Sequence, residues 1–189
     1  VAGWLLDEGR AASVLLVGRR RPEAAAARDA LQALVDRGAR VVLADVSEWE
    51  QVIALPDAQL VLHCAGTIDD GLMANVTESR AAAVLAPKLA GALHLRRRYG
   101  GARIVAFSSS SGPLGVVGQA TYGAANAALD ELLRGDAIQW GGWADVGMAA
   151  DHAIQPMPGE AFLPPRRGLA HLGRLIDGPP RAAPTLVLA

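Results

Sequence analysis

Between Phe107 and Asn126 the sequence reads FSSSSGPLGVVGQATYGAAN. A serine cluster stands ahead of Tyr122, and Asn126 follows that tyrosine by one helical turn. A phenol can donate a proton to a carbonyl oxygen and recover it, and a serine hydroxyl can orient the same carbonyl. The reference pKa of a phenol is about 10, so such chemistry near neutral pH needs a cation close by. The position one turn beyond the tyrosine, where a lysine would serve, holds Asn126. Either a lysine reaches Tyr122 from another element, or the tyrosine is idle. Taken alone, the serines read equally well as a polar turn.

The elements that must position these residues are legible in the hydrophobic periodicity. SVLLV (13–17), ARVVLA (39–44), QLVLHC (59–64) and RIVAFS (103–108) are near-continuous apolar runs, as parallel strands covered on both faces require. Between them, 23–38 reads as a helix ended by Gly38, and 77–98 as a longer one with Thr77 as N-cap and a kink at Pro87. Further helices are expected at 121–135 and 166–176, before a last strand TLVLA. Residues 151–165, with four prolines, read as an irregular loop or lid. Strands alternating with helices imply an α/β fold, a Rossmann-like doubly wound parallel sheet with helices on both faces. Ligands of such sheets bind beyond the carboxyl ends of the strands.

Those strand ends carry suitable residues. Arg19 and Arg20 follow the first run, where arginines favour the 2′-phosphate of NADP over the ribose of NAD; a basic surface turn is the plainer alternative. Asp45 and Val46 follow the second, and Asp45 could accept from an adenine amino group or cap the next helix. Cys64, Ala65 and Gly66 follow the third, small enough for a cofactor to approach the backbone. Cys64 reads as a small core hydrophobe rather than a nucleophile, since nothing near it in sequence would lower its pKa.

Composition narrows the classes. The 189 residues suffice for one domain, and 51% hydrophobic with 4% aromatic residues means that Ala, Val and Leu build the core. A net charge of -1 gives no electrostatic case for nucleic acid or an anionic membrane. Arg96, Arg97 and Arg98 read as a solvated helix end suited to the dipole. One cysteine excludes an internal disulfide and a Cys-based zinc site, and the histidines lack metal-ligand spacing, so no metal is expected. No apolar run reaches a membrane span and no signal peptide is visible, so a soluble, cytoplasmic chain is expected.

The stretches HCAGTIDDGLMANVT (63–77), VLAPKLAGALHL (84–95), QWGGWADVGMA (139–149) and the segment from Phe107 through Asp130 resemble the short-chain dehydrogenase/reductase superfamily. Within it they resemble the ketoreductase domains of modular polyketide synthases, over essentially the whole chain. In that family the lysine has moved to the preceding long helix and an asparagine stands four residues after the tyrosine. The resemblance therefore implies a tetrad of Lys88, Ser109, Tyr122 and Asn126. Ser109 would orient a β-carbonyl, Tyr122 would protonate its oxygen as hydride arrives, and Lys88 and Asn126 would support the phenolate and return the proton. Singly, Lys88 could be a surface helix lysine, Asn126 a surface polar residue and Ser109 a turn residue.

By the same resemblance the cofactor is NADPH, with Trp140 and Gly141 lining the nicotinamide pocket. The substrate is a β-ketoacyl phosphopantetheine thioester on an acyl carrier protein, with the other domains of the same synthase as further partners. Asp70, Leu114, Gln119 and Met148 fall at substrate and stereocontrol positions. Ile68-Asp69-Asp70 matches the Leu-Asp-Asp motif of members giving the D-configured (3R) hydroxyl, except at its first residue. Leu114 stands where the opposite type carries tryptophan, and Ala124 replaces the proline of the epimerising subtype.

Two departures qualify the resemblance. The glycine-rich phosphate loop and the strand leading into it should sit directly before VAGWLLDEG (1–9) and are missing. Residues 1–189 are accordingly expected to be a single catalytic domain that is incomplete at its N-terminus or part of a longer polypeptide, with a lid over 145–165. Between Leu133 and Ile138 only RGDA intervenes, which implies residues absent there or, less favoured, a tight connection. Two rival functions remain at this level: a reductase or dehydrogenase of a free small ketone or alcohol, and a non-catalytic scaffold within a synthase.

Overall fold

The computed structural model describes residues 1–148 and 161–189. The strands among them are β1 (Leu15–Gly18), β2 (Arg40–Leu43), β3 (Leu60–His63), β4 (Arg103–Ser109), β5 (Ala137–Trp140) and β6 (Thr185–Val187); all but β5 lie within a residue or two of a run named above. All pair in parallel, but as two ladders: β1 with β2, and β3-β4-β5-β6 in that order. The single expected sheet is thus divided between β1 and β3. Each of these has one ladder partner among the described residues.

Helices lie on both faces. On one side α5 (Gly91–Arg98) and α7 (Ala120–Leu133) pack through Ala92 and Leu129 onto Ala106 of β4 and Ala137 of β5. These alanines let the helices approach closely, which is how a core forms with few aromatic residues. On the other side α8 (Pro165–Asp177) lays Leu172 and Leu175 on Val105, Ile138, Trp140 and Val187. Along β4 the alternation sends Val105 to one face and Ala106 to the other, as a strand covered on both faces requires. Helices α1 (Ala2–Asp7) and α2 (Ala25–Asp36) are linked by Arg37, which reaches the Gly3 carbonyl at 3.3 Å and the Asp7 carboxylate at 2.5 Å.

Expected helix ends are confirmed at two points. Thr77 Oγ1 accepts from the Arg80 amide at 3.3 Å and caps α4 (Glu78–Leu85), and Gly38 takes φ 89° just past α2. At Pro87 the structure differs from the expectation of a kink. Ala86–Ala90 form a π turn joining α4 to α5, in which the Gly91 amide reaches back to the Ala86 carbonyl. Proline has no amide hydrogen for the ordinary α-helical bond, so widening the turn costs little there. Gly91 is required for the next step: a Cβ on it would lie 2.8 Å from Val46 Cγ2 and 3.2 Å from the His63 ring. Between α7 and β5 the chain makes a tight turn, with Asp136 and Ala137 amides bonded to the Leu133 and Arg134 carbonyls. Most of the expected lid, residues 149–160, lies outside the described residues.

Candidate active site

The carboxyl ends of β1 to β5 deliver every strand-end residue singled out above to one edge of the two sheets. The π turn directs Lys88 inward, and 1% of the residue is exposed. Its Nζ donates to the Phe107 carbonyl at 2.9 Å and stands 5.8 Å from the centre of the Tyr122 ring. Gly66 makes room for it, since a Cβ there would lie 3.1 Å from Lys88 Cε. Burial lowers the amine to about 8, with Cys64 and Asp130 pulling the other way.

Tyr122 and Asn126 sit one turn apart on the buried face of α7. Burial pushes the phenol above its ordinary value, the Asn126 and Ser109 side chains draw it back, and the charge of Asp70 adds to the rise. Asn126 is fully buried; its Nδ2 donates to the Tyr122 carbonyl at 2.8 Å, while its Oδ1 has no partner. Ser109 ends β4, and its Oγ accepts from the Ser111 amide at 3.2 Å and the Ser111 hydroxyl at 3.0 Å. The strand end, the π turn and α7 therefore converge, and four side chains far apart in sequence share one neighbourhood.

The sequence reading did not single out two buried groups beneath them. His63 Nε2 donates to the Lys88 carbonyl at 3.0 Å and so anchors the π turn; burial lowers its pKa to about 4. Asp130 stands one turn beyond Asn126 on the same face and accepts from Gln139 Nε2 at 2.7 Å, with Oδ1 unpartnered. Burial raises its carboxyl, against the opposing pull of Ser108, Gln139 and Lys88. The spacing of Tyr122, Asn126 and Asp130 was the available signal for the second. For His63 the signal was its place directly before the small-residue run.

The cofactor candidates fall into three groups. Arg19 is exposed, with Nη1 3.9 Å from Asp45 Oδ2, whereas Arg20 leans toward Glu23 at 3.7 Å. Asp45 Oδ1 accepts from the Ser47 amide at 2.9 Å and from the Ser47 hydroxyl, which lowers its pKa. It thus closes the turn ahead of the next helix, whose N-cap is Glu48. The Val46 carbonyl accepts from His94 Nδ1 at 3.0 Å.

Cys64 is solvent-accessible, which corrects the expectation of a core residue: it follows β3 at the ladder edge that β4 does not cover. Trp140 turns its indole into the core, with ring centres 5.5 Å from Phe107 and 5.0 Å from Trp143, so only its backbone faces the strand-end edge. The Gly141 amide is bonded to the Val187 carbonyl at 2.9 Å.

On the remaining side, Gln119 Nε2 donates to Asp70 Oδ2 at 2.8 Å, and the Gly71 amide to the Gly118 carbonyl at 2.8 Å. Met148 packs on the cluster of Val84, Tyr122 and Ala125. Leu114 is exposed, as are Leu72, Met73 and Val117. Among the described residues there is no group of three or more His, Cys, Asp or Glu side chains able to hold a metal, and no helix long and apolar enough to cross a membrane.

Comparison with known proteins adds the following. The family described as KR domain matches residues 1–145. The chain is 43% identical over 174 residues to the polyketide synthase GfsA of Streptomyces halstedii, covering 82% of this chain and 2% of that protein. It is 41% identical over 172 residues to the spectinabilin polyketide synthase system protein NorB of Streptomyces orinoci, covering 79% and 8%. Its structure is similar to PlmKR1, the ketoreductase from the first module of phoslactomycin biosynthesis in Streptomyces sp. HK803. That match has a TM-score of 0.83 and 26% identity over 99% of this chain and 48% of the other. The chain therefore spans a small part of those synthases and about half of that ketoreductase.

Proposed function

This chain belongs to the KR-domain family of polyketide synthases, and on that premise we propose that it reduces a β-ketoacyl thioester to the β-hydroxyacyl thioester at the expense of NADPH. The thioester is carried on the phosphopantetheine arm of an acyl carrier protein within the same synthase. The single observation that carries the reading is the buried Lys88 amine beside the Tyr122 ring, delivered from a different helix. A buried ammonium next to a buried phenol has little structural purpose, because desolvating it is costly.

The residues fit a nicotinamide dinucleotide. Gly66 has no side chain to stand between a ligand and the backbone after β3, Asn126 Oδ1 is a buried acceptor without a partner, and Arg19 is an exposed guanidinium, 3.9 Å from Asp45, available to an extra phosphate. When bound, that cofactor supplies hydride to the β-carbon. Ser109 donates to the β-carbonyl oxygen and orients it, and Tyr122 transfers its phenolic proton to that oxygen. Lys88 stabilises the phenolate by its charge, and Asn126 holds the α7 backbone at Tyr122 while its free oxygen orders the return path for the proton.

The product is the D-configured (3R) alcohol in this reading. Ile68-Asp69-Asp70 and Leu114 support that assignment, and the bond between Asp70 and Gln119 supports a defined wall on the Asp70 side of Tyr122. The reading is tested by supplying the full-length protein with NADPH and a β-ketoacyl pantetheine thioester. Consumption of NADPH with formation of one β-hydroxy epimer is expected. No NADPH loss would leave a scaffold role, and turnover of simple ketones in preference to the thioester would indicate a free-substrate reductase.

A further inference from the structure

Arg80 stands in the first turn of α4, and its guanidinium reaches back over the loop between β3 and that helix. Nε donates to Asp69 Oδ2 at 2.7 Å and Nη2 to Oδ1 at 2.5 Å, a two-pronged grip on one carboxylate. Nη1 donates to the Asn75 carbonyl at 2.8 Å, and Nη2 also lies 3.4 Å from the Asp70 carbonyl. Gly71 passes beside it, where a Cβ would lie 3.4 Å from Nη2. One side chain thus ties both ends of the segment 69–75. An exposed ion pair by itself contributes little, but a planar fork with two further backbone acceptors fixes a geometry that lysine cannot reproduce.

The far side of the same segment faces the tyrosine helix. With Asp69 held by Arg80, the Asp70 carboxylate points to Gln119 and the Gly71 amide to the Gly118 carbonyl, both at 2.8 Å. Gln119 is the N-cap residue of α7, and its carbonyl accepts from the Gly123 amide at 2.7 Å, one residue past Tyr122. A continuous set of contacts runs from Arg80 through Asp69, Asp70 and Gln119 to the first turn that carries Tyr122.

We propose that Arg80 is a specificity-determining positioning residue: its grip on Asp69 and Asn75 holds Asp70 and Gly71 against Gln119 and Gly118, and so builds the wall along which an acyl chain lies when its carbonyl meets Tyr122. This rests on the reading of the site as a β-ketoacyl reductase. Arg80 touches no reacting atom. It acts by selecting which face of the ketone is presented.

The test compares wild-type protein with Arg80→Lys, Arg80→Met and Asp69→Asn, the last removing the charge of the gripped carboxylate at unchanged size. The ratio of the two β-hydroxy epimers, KM and kcat for a β-ketoacyl pantetheine thioester, and amide exchange at Gly71 are measured. In all three variants the epimer ratio should fall roughly tenfold, with KM rising more than kcat falls, and Gly71 should exchange roughly tenfold faster. Arg80→Lys should not restore the ratio, because the charge without the fork is insufficient. Unchanged epimer ratios overturn the proposal, even where exchange is faster, since the grip would then be a plain loop staple. If an arginine variant fails to fold, Asp69→Asn decides alone. If wild-type protein leaves the thioester unreduced, the proposed function fails and Gly71 exchange decides the grip, unchanged exchange in Asp69→Asn overturning it.

Discussion

Lys88 Nζ lies 5.8 Å from the centre of the Tyr122 ring while it donates 2.9 Å to the Phe107 carbonyl, so a buried cation and a buried phenol share one wall of β4. Lys88 is the only lysine in the chain. It arrives through a π turn that widens at Pro87 and is anchored by His63. The cation beside Tyr122 thus comes from a separate element, while Asn126 stands one turn after the tyrosine on its own helix.

Because Lys88 is the only lysine, its Cε resonance is unambiguous in a carbon-detected NMR titration. It should titrate near 8 rather than near the ordinary 10.5, since burial disfavours the ammonium. In that window the unfolded chain binds more protons at this site than the folded one. Stability from this group therefore rises with pH between about 8 and 10.5, and Lys88→Met should flatten the rise. A midpoint near 10.5 would mean a solvated amine and remove it from the site.

Tyr122→Phe removes one hydroxyl from a ring that stays packed against Val84 and Ala125. Reduction should fall roughly 100- to 10,000-fold while the circular dichroism spectrum and melting transition are retained. Substantial residual turnover would dismiss Tyr122 as the proton donor.

Arg19 and Arg20 are adjacent in sequence, but only Arg19 leans toward Asp45 at the strand-end edge. Arg19→Ala should weaken NADPH binding roughly 10- to 100-fold with little effect on NADH, the scale of one lost charge-assisted hydrogen bond. Arg20→Ala should change the preference much less. Titration of each variant with both cofactors checks this, and equal losses for NADPH and NADH in Arg19→Ala would contradict the assignment.

His63 is neutral in the folded protein because burial lowers its pKa to about 4, whereas in the unfolded chain it titrates near 6.5. As pH falls from about 6.5 to about 4 the unfolded state takes up the proton first, so stability is lost across that window. The full contribution is roughly 3 kcal/mol. Denaturant unfolding at stepped pH should show this loss, and His63→Gln should flatten it. An unaltered pH slope in the variant would place the acid sensitivity elsewhere.

Much of the fold was legible because burial on both faces of a parallel strand leaves a continuous apolar run, and each run from SVLLV to TLVLA became a strand within a residue or two. Thr77 and Gly38 were equally legible, since capping is a local property of one side chain or one backbone angle. The break of the six strands into two ladders was not written in any run, because pairing is decided between segments distant in sequence. Trp140 shows the same limit. The resemblance put it at the nicotinamide pocket, but the alternation of β5 sends its indole to the core beside Phe107 and Trp143.

By itself the sequence determined the residue types, their register along each element, and a resemblance that marks Lys88, Ser109, Tyr122 and Asn126 as one set. These are local or pattern properties, and a linear chain carries them openly. The tertiary structure decided that the Lys88 amine is desolvated and bonded to Phe107, that His63 anchors it from below, and that Arg80 braces the loop facing Gln119. The physical reason is that burial, charge state and hydrogen-bond partners depend on what other segments bring within a few ångströms. Asn126 needed both levels: the chain shows that a lysine is not there, and only the fold shows that Lys88 reaches the Tyr122 ring from another element.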